Sequence, residues 1–499
     1  MHCPRALSVV VVVVIQSVCA VAQDTSSRTE SSSETATLPP VVVSATRGGP
    51  RSAEDLPVSV TVISREEIEA SPGTTIDEIL RTTPGIQLQL TNSNTILPII
   101  PSISMRGLGL GDNGTRTLVL VDGLPANGAF FGNVFWNRVP KQNVERIEIV
   151  RGSGSAQFGT YALGGVVNIV TRRLPDQPRV EGEAGYGMQQ TFQGNLYGGT
   201  PITDALRTSL NANYYDSGGY FEVPPELRGP IDSKTSADTL SIQGKAEYTP
   251  MERVALYLRS NYYTQDHQRD TKLSDSHTDI WDIAAGGQVS LGQPGTIYAD
   301  FFYADEQFAN KNTSTIPFDS RLAEFVSNAH DTPATNISGS LRWTRAFGRY
   351  VPSTTLGMDL RLLRGEDDAD IFLADGSLAL KRIGEGKQRS VGVFGEASVF
   401  PHPQFEILAS LRGDFFRNFD GRTIENGVVT NFADKTFNEV TFRLALRYQL
   451  VDAVAVRGVP WLPCPHAGES VSLLRHDHLC WLVQSATWAG DLDRRRDGP

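Results

Sequence analysis

Few side chains in this sequence stand at spacings that could do chemistry. His267, His277, His330 and His402 lie far apart, and none shows zinc-type spacing. They read as loop or turn histidines exposed to water, with an axial haem ligand in an outer loop as the sharper alternative. The glycine-rich string GSGSAQFG, Gly152 to Gly159, superficially suggests a phosphate-cradling loop. No Lys-Ser/Thr pair follows it and no clear helix opens there, so that reading fails. The acidic run Asp367 to Asp370 could touch a cation, but an acidic loop tip is the commoner explanation. Cys3 and Cys19 sit at one end and Cys464 and Cys480 at the other, which leaves the body without a thiolate nucleophile or a disulfide. No catalytic residue, metal site or cofactor is expected, and the sequence does not read as an enzyme.

The chain has 499 residues, a net charge of -11 and 46 glycines. That acidity argues against a nucleic-acid binder, which needs a basic face. No stretch reaches the ~18 apolar residues of a spanning helix. Arg5, the apolar run Leu7 to Ile15 and the Ala20-Val21-Ala22 site form an export signal over 1–22. Residues 23–37 are Ser, Thr, Glu and Asp with little else, a disordered tether that reaches roughly 50 Å when extended. In LPPVVVSATR, over 38–47, Pro39 and Pro40 keep the chain extended and Val41, Val42 and Val43 favour a strand.

Residues 48–175 read as a mixed α/β unit. LPVSVTVI, from Leu56, alternates as a strand with Val58, Val60 and Val62 on one face. TTIDEILRTTPG is a short helix capped by Thr74 or Thr75 and stopped at Pro84-Gly85. RTLVLVDGLP is a buried strand that ends in an Asp122-Gly123 turn, and Arg106 and Gly107 sit in SMRGLG. The last segment, VERIEIVRGSGSAQFGTYALGGVVNIVTRR from Val144 to Arg173, holds two β-branched runs, Ile147 to Val150 and Val166 to Val170. Between them lie Gly152, Gly154, Gly159, Gly164 and Gly165, as two strands joined by a tight loop with positive φ would need.

That segment closely resembles the signature that closes the plug domain of TonB-dependent outer-membrane receptors, and the preceding elements resemble the plug in order and spacing. The family usually has Gly-Pro-x-Ser where this chain has Gly152-Ser153-Gly154-Ser155. The resemblance implies a TonB box at Val41, Val42, Val43, Ser44 and Ala45, which adds a strand to TonB and so to its inner-membrane motor. It also implies a set of plug motif residues: Arg106, Gly107, Asp122, Gly123, Glu145, Glu148, Arg151, Gly152, Gly164, Gly165 and Asn168. Among them Arg106 and Arg151 would pair with carboxylates of the barrel lumen, and Glu145 and Glu148 with plug or barrel arginines. The implied partners are outer-membrane lipid of a Gram-negative cell and a small-molecule metal chelate, a ferric siderophore or cobalamin. No nucleic acid is expected, and the ligand-binding residues are not legible.

Residues 176–451 carry strands of roughly ten residues with alternating faces. Phe405, Ile407, Ala409, Leu411 and Phe415 oppose Glu406, Ser410, Arg412 and Asp414. Val440, Phe442, Leu444, Leu446 and Tyr448 oppose Thr441, Arg443, Ala445 and Arg447, and Val254, Leu256 and Leu258 oppose Tyr257, Arg259 and Asn261. Short turns near Pro201, Pro250, Gln293, Gly348 and Pro401 alternate with long polar connections at 216–237, 266–279, 306–333, 366–388 and 417–438. That bookkeeping suits a transmembrane antiparallel β-barrel with an N-terminal mixed α/β plug, in part: about twelve strands of the roughly twenty-two that close such a receptor. A passive porin or adhesin barrel and a secreted β-rich enzyme are the competing readings.

Over 452–499 the alternation ends, and half the cysteines and half the tryptophans of the chain gather there. Read one base later, Gly458 to Gly468 becomes compatible with a string that resembles the family's mid-barrel Phe-Arg-Ala-Pro motif. A frameshift near 452, an out-of-frame C-terminus and a chain that does not transport as encoded are the expectations.

Overall fold

The computed structural model of the protein describes residues 42–43, 51–52, 56–89, 102–105, 116–152, 154–159, 161–317, 320–451 and 454–458. The expected export signal, the tether, Arg106, Gly107 and residues 459–499 lie outside them, as do Val41, Ser44 and Ala45.

In the N-terminal part, β1 (Val42–Val43) pairs with β2 (Arg51–Ser52). A five-stranded mixed sheet follows, built from β3 (Ser59–Ile63), β6 (Thr117–Val121), β7 (Leu124–Pro125), β8 (Val144–Arg151) and β9 (Gly165–Thr171). Its order is β3-β8-β9-β6-β7, with β6 parallel to β9 and the other pairs antiparallel. A separate hairpin pairs β4 (Ile86–Gln89) with β5 (Ser102–Met105). Two helices cover one sheet face. The first, α1 (Arg65–Ala70), has no counterpart in the sequence reading; Ser64 and Glu67 close a reciprocal capping box at its start. The second, α2 (Ile76–Arg81), begins after Thr75 as expected, though the bonds to Glu78 come from the amide and hydroxyl of Thr74, at 2.6 and 3.0 Å.

Period-two burial explains how this sheet packs. Ile147, Ile149, Val167 and Ile169 point to the helices and meet Ile68, Ile79 and Leu80. Val150 and Val166 point the other way and meet Leu408 and Ala445 of the large sheet. Each face of the small sheet is therefore covered, one by its own helices and one by the wall around it.

The wall is a sheet of 14 strands in which sequence neighbours pair antiparallel. Its strands run in order through β10 (Arg179–Gly187), β11 (Thr191–Pro201), β12 (Leu206–Tyr220), β13 (Thr235–Met251) and β14 (Val254–Gln268). They continue through β15 (Asp275–Ser290), β16 (Thr296–Ile316), β17 (Ala323–Arg345), β18 (Ser353–Phe372) and β19 (Leu378–His402). The set ends with β20 (Phe405–Glu425), β21 (Val428–Asn431), β22 (Lys435–Val451) and β23 (Val454–Gly458). Pairing thus runs on to Gly458, beyond the boundary expected at 451. Among the described residues, β10 and β23 each pair on one side only.

The short turns fall where the sequence places them, at 202–205, 252–253, 291–295, 346–352 and 403–404. Of the long polar connections, 216–237 stands mainly as a loop, with 221–234 outside the strands. Most of each of the other four is strand: β16 and β17 consume all of 306–333 except 317–322, and β18 and β19 meet across 373–377. Strands of 23 and 25 residues replace the ten expected. The reason is physical. A strand of such a wall alternates apolar and polar residues where its outer face meets hydrocarbon, and its continuation into water has two wet faces and no period to detect.

Candidate functional site

The site is the seam where the small sheet and its loops meet the wall. After β8 the chain turns through Gly152, forms a single helical turn α3 (Ser155–Phe158) and leaves it at Gly159. The sequence reading had no helix here. Gly159 has φ +73°, and a Cβ on it would stand 2.9 Å from Arg412 Nη2, so only glycine lets the guanidinium lie against the backbone. Arg412 in turn donates to Asp359 at 2.6 Å and to Asp414 at 2.7 Å. Beside it the buried Gln157 donates to Glu396 and accepts from Arg443 at 3.3 Å, while Ser410 donates to Glu396 at 2.8 Å. At the far end of the loop Gly165 has φ +151°, and a Cβ there would come 2.5 Å from the Val150 carbonyl oxygen. Of the glycines between β8 and β9, Gly152, Gly159 and Gly165 have positive φ; Gly164 instead lets the Arg116 and Met105 carbonyls approach closely.

A second set of contacts surrounds the Asp122-Gly123 turn, whose residues have φ +52° and +82°. Asp122 accepts from the Thr171 amide at 2.8 Å and hydroxyl at 2.7 Å, and pairs with Arg259 of β14 at 3.2 Å. Burial works against its charge, but Lys245, Arg259 and the Thr171 hydrogen bonds outweigh burial and hold the carboxyl below its ordinary range. Asn168 accepts from the Gly123 amide at 3.0 Å and donates to Glu148 at 3.0 Å. Glu148 is fully buried and pairs with Arg146 at 2.8 Å. Nearby, Arg138 reaches Asp282 of β15 at 2.5 Å, and its carbonyl accepts from Ser241 at 3.0 Å.

The implied roles of the motif residues hold unevenly. Among the described residues Arg151 meets no lumen carboxylate; it donates to Thr61 at 2.5 Å and to the Pro84 carbonyl at 3.2 Å, both within the small domain. By the period of two, Arg151 shares the face of Ile147 and Ile149, which meets the helices, while Val150 takes the face that meets the wall. Glu145 acts electrostatically on Arg172, which forms a two-pronged pair with Glu181 of β10 at 2.6 and 3.1 Å. The plug-side arginines that do reach the wall, Arg51, Arg138 and Arg172, were missed. Arg51 follows the expected TonB box and donates to the buried Glu406 at 2.7 Å. The alternation of β20 already placed Glu406, Arg412 and Asp414 on the inner face, and that was the signal available for the wall's half of these pairs.

His402 is exposed at the end of β19, where its Nδ1 accepts from the Gln404 amide of the turn at 3.3 Å, but the other three histidines are not loop residues. His267, His277 and His330 lie within β14, β15 and β17, and His267 is buried. His277 bonds Asp266 at 2.7 Å and Asp279 at 2.8 Å, and His330 bonds Asp367 at 2.8 Å. Asp367 to Asp370 likewise sit in β18 and not at a loop tip, with Asp368 and Asp370 paired to Lys381 at 3.0 and 3.2 Å. Among the described residues no group of three or more His, Cys, Asp or Glu side chains is placed to hold a metal.

The seam therefore latches one domain inside another. A family model for the TonB-dependent receptor plug domain matches residues 52–166, and a model for the TonB-dependent receptor-like β-barrel matches residues 182–459. The chain belongs to the TonB-dependent receptor family. A vitamin B12 transporter, BtuB, of Photobacterium profundum is 24% identical over 300 residues, which cover 57% of this chain and 46% of that protein. The fold is similar to the ferric yersiniabactin uptake receptor FyuA of Yersinia pestis, with a TM-score of 0.66 at 16% identity over 81% of this chain and 64% of that one. It is also similar to the siderophore receptor PiuA of Acinetobacter baumannii, with a TM-score of 0.65 at 15% identity over 83% and 65%. This receptor chain thus spans about half the length of the curated relative it matches and about two thirds of these structures. A passive porin reading finds no support beside a matched plug.

Proposed function

We propose that this receptor serves energy-coupled uptake of a scarce metal chelate, a ferric siderophore or cobalamin, across the outer membrane of a Gram-negative cell. The observation that carries the reading is a plug held by the ion pairs Arg138–Asp282 and Asp122–Arg259 against the inner face of a sheet whose outer face is apolar. An apolar outer band suits lipid, and a charged inner face suits a watery lumen closed by a plug. Leu256, Leu258, Leu411, Phe415, Val440 and Phe442 all stand exposed on the outside, while Arg259, Asn261, Arg412, Asp414 and Arg443 are buried inside.

In this reading the segment Val41, Val42, Val43, Ser44 and Ala45 passes force from TonB. Val42 and Val43 pair with Ser52 and Arg51, so a TonB strand would compete with that pairing for the same backbone groups. Force applied there reaches the wall first at the Arg51–Glu406 pair and then the plug seam. The outer loops and plug apices would hold the chelate.

The test is capture of the purified chain by the periplasmic domain of TonB, with membrane fractionation alongside. The chain should sediment with the outer membrane and bind TonB, and Val42→Pro, which removes a backbone donor, should abolish binding. Soluble fractionation, or binding that survives deletion of 41–45, would overturn the reading.

A further inference from the structure

The short turns at 291–295, 346–352 and 403–404 stand side by side along one rim of the wall. Trp343 Nε1 donates to the Pro294 carbonyl at 2.7 Å, and the Phe400 amide to the Tyr350 carbonyl at 2.8 Å, so the three are tied together. Residues 290–299, 343–356 and 397–405, which form them, contain no aspartate or glutamate. They do contain Arg345, Arg349 and His402. The acids immediately beside these segments, Asp300, Glu396 and Glu406, lie on the lumen face, where they meet Tyr257, Gln157 and Arg51. The other two short turns of the rim differ: each holds a carboxylate, Asp204 in one and Glu252 in the other.

Both arginines lie against aromatic faces. Arg345 stands 4.7 Å from the ring centre of Phe347, and Arg349 4.6 Å from that of Tyr350, to whose hydroxyl it also donates. Trp343 and Phe347 meet edge to face at 6.2 Å. By the period of two, Trp343 and Arg345 share the outer face with Leu341, and Phe347, Arg349 and Tyr350 are exposed. Among the described residues neither guanidinium has a carboxylate within ion-pair distance. A ring face attracts a cation but offers no acceptor for its N–H fork. Tryptophan and tyrosine collect where hydrocarbon gives way to headgroups, and an arginine stem beside them lies along apolar surface with its charge at that level. The counter-charge available there is a lipid phosphate, whose oxygens match the fork.

We propose that this rim binds the headgroup phosphate of an anionic phospholipid, with Arg345 and Arg349 as donors and Trp343, Phe347 and Tyr350 against the glycerol and upper acyl carbons. Short turns face the periplasm in barrels of this kind, so the lipid belongs to the inner leaflet of the outer membrane. Net charge decides the class of lipid, because a zwitterionic headgroup brings its own ammonium to its phosphate. The site occupies one side of the rim only, since the turns with Asp204 and Glu252 carry negative charge of their own. The inference rests on the wall meeting lipid and not on which cargo the receptor takes up.

Native mass spectrometry of the full chain, released from detergent micelles doped equally with phosphatidylglycerol and phosphatidylcholine, reads which lipid stays bound. Phosphatidylglycerol should be retained in preference by roughly tenfold. Arg345→Gln combined with Arg349→Gln should abolish the preference, and the corresponding pair of lysines should keep part of it. Arg253→Gln, in the turn that holds Glu252, should leave it unchanged. Equal retention of the two lipids by the unmodified chain overturns the assignment, as does an undiminished preference in the double glutamine variant or an equal loss in Arg253→Gln. Displacement of the lipid by inorganic phosphate would mark a site for a free anion and overturn it too. Should the double variant fail to fold, Arg349→Gln alone decides: the preference should drop by roughly threefold or more, and no drop sinks the proposal. Membrane fractionation and TonB capture through Val42 are read separately, so failure here and failure of the uptake reading cannot be confused.

Discussion

In the plug, Ile147 and Ile149 are fully buried and the acidic side chains of α1 face water. In the wall, Leu411 and Phe415 stand 58% and 54% exposed while their neighbours Arg412 and Asp414 are each 4% exposed. The two regions share one chain and one backbone period, yet they sort side chains in opposite directions. What differs is the solvent each was built for. The plug follows the usual economy of apolar burial from water. The wall turns the same residues outward, a face that would aggregate in water and that hydrocarbon covers without penalty. Between them the seam sets buried ion pairs such as Arg138–Asp282 beside small apolar clusters such as Val150 and Val166 on Leu408 and Ala445, so both kinds of contact hold the domains together.

Leu411 and Arg412 are adjacent in sequence and sit on opposite faces, which makes them the sharpest place to break this contrast. The largest loss should come from Arg412→Ala, which strands Asp359 and Asp414 in the lumen wall. Removing one partner of a buried pair costs about 3–5 kcal/mol. The thermal midpoint of heat-modifiable gel migration in detergent should fall accordingly, and Arg412→Lys should recover only part of it, because a single ammonium cannot reproduce the fork. A midpoint equal to that of the unmodified protein would mean that the lumen is wet enough to solvate both carboxylates.

Next in size is Leu411→Arg. A charge on the lipid face costs about 2–4 kcal/mol near the bilayer midplane and much less near its edges. The cost should appear in lipid vesicles and shrink in micelles, where detergent can rearrange around the side chain. If the two media gave the same small loss, the outward face of β20 would be meeting water, and the contrast with the plug would fail.

How much of this was visible in the sequence follows the same division. Alternation in FEILASLRGDFF and VTFRLALRY located β20 and β22 and assigned their faces, because hydrocarbon imposes a strict period on the part of a strand it touches. Where β17 and β19 extend past that band the period vanished, and strand was read as loop. In the plug, β6, β8 and β9 were legible as β-branched runs, and α2 from its cap and its Pro-Gly stop. The six-residue α1 was not, since REEIEA carries a single buried apolar residue, Ile68, and no periodicity; its Ser64-x-x-Glu67 capping box was the one signal available. The seam was the least legible part. Gln157 and Glu396 stand 239 positions apart, and nothing local to either names the other. The same limit gave Arg151 a partner in the wall that geometry denies it.

The smallest effect concerns two plug carboxylates whose surroundings pull in opposite directions. Asp77, in the first turn of α2, is buried, and burial raises its pKa above the ordinary value because Thr75 and Arg81, the latter 3.9 Å away, relieve only part of the cost. A carboxyl whose folded pKa is raised favours the folded state when protonated. Its contribution is full below the unfolded value of 3.8 and is lost as pH rises through the folded pKa. Asp122 has the reverse sign: its folded pKa is depressed, so its contribution is present above 3.8 and is lost as pH falls through the folded value. Asp77→Asn should therefore stabilise the plug by roughly 1 kcal/mol at neutral pH and remove part of the acid-side gain. Asp122→Asn should destabilise it at neutral pH and flatten the loss at low pH. Amide hydrogen exchange of α2 and of the Thr171 amide, followed between pH 4 and 7, reads the two sites separately. Parallel pH profiles at both would mean that the burial of Asp77 is offset by solvent reaching α2, and that the plug's charges, like those of the wall, are wetter than their packing implies.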